Sequence, residues 1–169
     1  MKKWLLLTTF TLWTSCKDVQ PSNNTTTATE DSLTVDVPKP PENLAQFDAD
    51  FASKYQLENW KELMEFKKGF ESLHRLNPKG LTVFLKGLDN QTIRLLKSNF
   101  PETFDNDPIK SRLKVVRMEV MKCIYFAENR QNEALQKSLE NLYQSYSIFI
   151  NRLVTMGEEK TINVLDSLN

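Results

Sequence analysis

The sequence predicts an all-α fold: an antiparallel helical bundle of about four main helices behind a disordered N-terminal tether. Apolar residues recur at three- and four-residue spacing through most of 47–169, the period of one helix face. Only four glycines occur in 169 residues, and the seven prolines gather at a few boundary positions. No period-two run and no Asn-Gly turn argues for a sheet. With 40% hydrophobic and 26% charged residues, the chain can supply one buried core.

The elements follow in order. Trp60, Leu63, Phe66, Phe70 and Leu73 define the first long amphipathic face, with Ser53 and Gln56 at capping-box spacing ahead of it. Asn77-Pro78 closes that element and opens the next. Two shorter pieces are expected between Pro78 and Asn99. Leu81, Phe84, Leu85 and Leu88 mark one; Ile93, Leu95 and Leu96 mark the other, after Asp89 as its N-cap. Phe100-Pro101 interrupts the chain. Asp107-Pro108 reads as an N-cap followed by proline at the first helical position. The face beyond it carries Ile109, Leu113, Val116, Val120, Cys123 and Ile124. The last long helix is expected over about Asn132–Met156, on Leu135, Leu139, Leu142, Tyr146, Phe149, Ile150 and Leu153, with Gly157 as its C′ residue. A short tail helix holds Ile162, Leu165 and Leu168.

The N-terminus has a different grammar. Lys2 and Lys3 precede a short apolar stretch from Trp4 to Trp13, too short for the roughly 20 residues of a transmembrane helix but suited to a signal-peptide core. Thr14, Ser15 and Cys16 follow. The run Trp13-Thr14-Ser15-Cys16 resembles the lipobox of bacterial lipoproteins, although Trp13 stands where an aliphatic residue is usual. The resemblance implies cleavage before Cys16, acylation of that cysteine by palmitate-class chains, and residence in the cell envelope. An outer-membrane location follows, on the periplasmic or the surface face. Lys17-Asp18 resembles a weak form of a surface-export signal. An ordinary secretory leader with an incidental cysteine is the plainer alternative.

Domain organisation follows as 1–15 signal peptide, 16–46 lipidated cysteine and linker, and 47–169 helical bundle. Residues 21–29 are low-complexity and polar, and Pro38-Lys39-Pro40-Pro41 is stiff and extended, so the linker lacks the apolar surface needed to offset its ordering entropy. The segment Phe104–Val115 is also similar to helix starts in uncharacterised lipoproteins of Gram-negative bacteria; that similarity implies no activity.

The chemistry offered by single residues is sparse. Formal charge is zero, from 22 basic and 22 acidic residues, and becomes −2 (20 against 22) once Lys2 and Lys3 leave with the leader. Neither value suits a nucleic-acid binder, which needs a basic excess to neutralise phosphates. His74 is the sole histidine. Glu71-x-x-His74 has the spacing of half a di-iron site, but its second half would need another histidine, so no metal is assigned. Cys123 falls on an apolar face, where a buried inert thiol is expected over a reactive one.

Lys110, Lys114 and Arg117 form a basic stripe that suits either solvent, anionic lipid or an acidic partner. Tyr143, Tyr146, Phe149 and Trp60 suit a core before a sugar or peptide groove. Glu119, Glu128, Glu133 and Glu140 are spread over different faces, which leaves no paired acid–base site. No catalytic or cofactor-binding residues are assigned, and the chain is read as a non-enzyme.

The leading expectation is a membrane-anchored interaction or scaffold module with an envelope protein as partner. The alternative is a lipoprotein that binds a small molecule or lipid in a cavity between helices.

Overall fold

The computed structural model describes residues 38–42, 44–75 and 77–166. The expected leader, Cys16 and most of the linker lie outside the described residues, as does Leu168. All the described residues belong to one compact unit, 32–169.

Among the described residues there are five α-helices and no strand. The first, α1 (Ala49–Lys54), starts where the Asp48 carboxylate accepts the Phe51 N–H at 2.7 Å. The expected Ser53–Gln56 capping box is therefore corrected. Ser53 lies inside α1, and Gln56 turns the chain through a left-handed φ of 52° into a 3₁₀ turn over Leu57–Asn59. Helix α2 (Lys61–Ser72) follows Trp60 and buries Leu63, Phe66 and Phe70. Two 3₁₀ turns, Leu73–Arg75 and Pro78–Gly80, carry the chain to the next helix. The Lys79 N–H donates to the Asn77 side-chain oxygen there at 3.0 Å.

Residues 81–97 form one helix, α3 (Leu81–Lys97), where two were expected. Thr92 explains the difference. It is fully buried, its hydroxyl donates to the Leu88 carbonyl at 2.8 Å, and it joins the two apolar runs into one continuous face. Asp89 caps nothing; it accepts from Arg117 of the following helix. That helix, α4 (Asp107–Glu128), starts one residue earlier than the sequence suggests, because Asn106 is the N-cap and accepts the Ile109 N–H at 3.1 Å. Helix α5 runs from Asn132 to Asp166, about 52 Å at 1.5 Å per residue. It passes straight through Gly157, so no C-cap lies there, and the expected tail helix is its continuation.

Contacts between the helices give an antiparallel order. Glu65 of α2 pairs with Arg94 of α3 at 3.4 Å. Asp89 and Lys86 of α3 meet Arg117 and Glu128 of α4 at 2.9 and 2.6 Å. Between α2 and α5 the joint is aromatic. Phe70 stacks on Tyr146 with ring centres 4.0 Å apart, and Phe66 meets Phe149 edge-on at 6.0 Å.

Rings this large hold the backbones of α2 and α5 apart, and the N-terminal segment lies along the seam. Leu44, Ala45 and Phe47 pack half-buried on the core, upstream of α1. The Ala45 N–H donates to the Ser147 hydroxyl at 3.4 Å. Phe51 and Tyr55 then reach α5 at Gly157, where an added Cβ would stand 2.8 Å from each ring. Leu44 and Ala45, inside the stretch 16–46 read from sequence as linker, thus belong to the packed bundle. Phe51, Tyr55, Trp60, Phe100 and Phe104 gather at this end of the bundle, and Trp60 Nε1 donates to Ser98 Oγ at 2.8 Å.

Candidate functional site

Cys16, the one residue to which the sequence assigns a modification, lies outside the described residues. His74 has its backbone in the Leu73–Arg75 turn, and its side chain lies outside the described ones. Among the described residues, no three or more His, Cys, Asp or Glu side chains come together in a way that could hold a metal ion.

Cys123 is fully buried and free. Burial, reinforced by the Glu119 carboxylate, pushes its thiol from an ordinary 9.0 up to about 12. A thiolate is the nucleophile in cysteine chemistry, so this environment opposes reactivity.

The basic stripe on α4 is largely engaged. Lys110 pairs with Asp105 and lies 5.3 Å from the centre of the Phe100 ring. The Arg117 Nε donates to Asp89 at 2.9 Å, and Lys114 faces solvent. The four carboxylates do not converge. Glu119 pairs with Lys122 at 2.7 Å and Glu128 with Lys86 at 2.6 Å, while Glu133 and Glu140 border a shallow surface hollow on α5.

The aromatic residues expected in the core ahead of a groove are core. Trp60, Tyr143, Tyr146 and Phe149 are all buried. The hydroxyls of Tyr143 and Tyr146 are buried without a hydrogen-bond partner. Burial raises Tyr143 from 10.0 to about 12 and raises Tyr146 as well, with Glu71 adding to the second.

Two surface features were not anticipated from the sequence. One is a groove of about 420 Å³ between Pro38, Lys39 and Pro41 on one side and Glu140, Tyr143, Gln144, Ser147 and Asn151 of α5 on the other. Its signal was present in the polar spacing at 140, 144, 147 and 151, a stripe half-covered by chain that reads as linker. The other is the outer face of α4. Val115, Met118, Met121 and Tyr125 are each about half exposed, and Ile148 of α5 is likewise exposed. These residues interrupt the polar side of an otherwise amphipathic helix.

No helix among the described residues is long and apolar enough to cross a membrane. No protein-family model, no curated protein and no solved structure matches the chain.

Proposed function

We propose that this chain is a lipoprotein of the bacterial cell envelope, anchored through acyl chains on Cys16, whose helical bundle acts as an interaction or scaffold module. The carrying observation is the N-terminal run: two lysines, a short apolar stretch, then Thr14-Ser15-Cys16. Several acyl chains, at about 0.8 kcal/mol per buried CH₂, suffice to hold a folded domain on a bilayer. The bundle supports the module reading in a coarser way. It is helical, its core is built of rings and aliphatic side chains, and its candidate chemical groups stand apart or are engaged in structural pairs.

The shape of the described groove also weighs against the carrier alternative. A bound lipid needs a cavity between helices, roughly 300 Å³ or more. The 420 Å³ groove lies instead between an extended segment and the surface of α5, where half of its lining residues are polar or charged side chains of that helix.

The test is metabolic labelling with a fatty-acid analogue in cells that produce either the natural chain or Cys16→Ala. Label is expected on the first and absent from the second, with the mature N-terminus at residue 16 by mass spectrometry. An unlabelled natural chain, or a mature N-terminus elsewhere, overturns the proposal.

A further inference from the structure

The geometry points to the outer face of α4 as a docking face for an anionic lipid surface. This inference deepens the anchored reading and rests on it. At 3.6 residues per turn, Lys114, Val115, Met118, Met121, Lys122 and Tyr125 fall within an arc of about 120°. That arc lies opposite the buried face of Ile109, Leu113, Val116, Val120, Cys123 and Ala127. Every residue of the arc is exposed.

The side-chain chemistry matches an interfacial helix. Methionines are flexible and fill an irregular apolar surface. Tyrosine and lysine each present an apolar body and a polar tip, which suits the headgroup boundary. Two lysines of the arc, Lys114 and Lys122, supply the attraction to anionic headgroups. Helix α4 as a whole carries Lys110, Arg112, Lys114, Arg117 and Lys122 against Asp107, Glu119 and Glu128, an excess of two in a chain whose formal charge is zero. The Glu119 side chain is only 12% exposed and pairs with Lys122 on the α5 side of the arc.

The length of chain ahead of the bundle adds a second argument. Cys16 and Pro38 are 22 residues apart in sequence (38 − 16). A chain of that length can reach at most about 75 Å. An anchor at Cys16 would keep α4 near lipid continuously, so a face with weak intrinsic affinity becomes occupied.

The test uses the full chain, purified in detergent and reconstituted on vesicles of either phosphatidylethanolamine with phosphatidylglycerol or phosphatidylcholine alone. Flotation reports whether the chain is held on the vesicle. Oxidative footprinting of methionine, read by mass spectrometry, reports which face meets lipid, with the half-buried Met64 and Met156 as internal references. Met118 and Met121 are expected to be protected severalfold on the anionic vesicles and unprotected on phosphatidylcholine. In the Lys114→Gln, Lys122→Gln double variant, occupancy of that face should fall about tenfold or more. These side chains point away from the core, and an unchanged melting temperature verifies that the variant is folded.

Equal oxidation with and without anionic vesicles overturns the inference. So does protection that needs no vesicles and grows with protein concentration, which would assign the face to a second copy of the chain. A chain that does not float overturns the anchored reading separately, because footprinting at excess vesicles still reads α4.

Discussion

The Tyr55 hydroxyl donates to the backbone carbonyl of Gly157, 102 residues further along the chain. The glycine matters here because of what it lets near. Both Phe51 and Tyr55 press against the side of α5 where a Cβ would project.

Gly157→Ala should therefore destabilise the fold by about 1–3 kcal/mol despite alanine's better helix propensity, because the new methyl overpacks two rings. Gly87→Ala is the counterpart. A Cβ at Gly87 meets nothing within 4 Å and the residue is exposed in mid-α3, so this change should stabilise by about 0.5–1 kcal/mol. Urea denaturation of the two variants checks both signs. A stabilised Gly157→Ala variant would contradict the close approach of α1.

Asn106 and not Asp107 caps α4. Asn106→Ala should cost about 1 kcal/mol, and Asp107→Ala clearly less. Thermal melts of the pair decide the register, since the opposite ranking would restore the cap to Asp107.

The unpartnered hydroxyls of Tyr143 and Tyr146 give a prediction of the unusual sign. Tyr146→Phe removes a buried polar atom that makes no hydrogen bond and leaves the ring stack on Phe70 intact. It should stabilise by about 1 kcal/mol. A loss of stability would reveal a partner for that oxygen.

Three buried groups, Cys123, Tyr143 and Tyr146, hold their protons more tightly in the folded chain than in the unfolded one. Their contribution to folding stability is thus fully present below about pH 9, the ordinary value for a thiol. As pH rises further, the unfolded chain releases protons that the folded chain retains, and stability falls towards pH 12. Chemical denaturation across this range should show the decline, and Cys123→Ala should flatten its start. In the native state the Cys123 thiol should also resist a thiol reagent at pH 8 and react once urea unfolds the chain. Fast native labelling would refute its burial.

The helix faces were legible in the sequence because each carries a dense apolar repeat, as the row from Ile109 to Cys123 shows. Misreadings occurred where a residue's usual preference yielded to its surroundings. Asp89 resembles a cap but is drawn into an ion pair with Arg117, and the polar Thr92 is buried because Leu88 satisfies its hydroxyl. Gly157 resembles a helix stop, yet its partners are rings from residues 51 and 55, a contact that no local pattern records. The same limit hid the groove beside Tyr143, since one wall comes from chain far away in sequence. The α4 outer face was hidden differently. Its residues were visible one by one, but exposure of four of them together emerges only once the opposite face is buried.

The path of the N-terminal segment along α5 has a mechanical consequence. From Ala45 against Ser147 to Tyr55 against Gly157, the chain advances in the same direction as the helix beside it. Tension drawn through residue 38 would act on these contacts in sequence, starting with the long 3.4 Å bond at Ala45 and reaching the rings at Phe51 and Tyr55 last. A tug on such a leash would strip away the outer strap first, while the four long helices behind it kept their grip on one another.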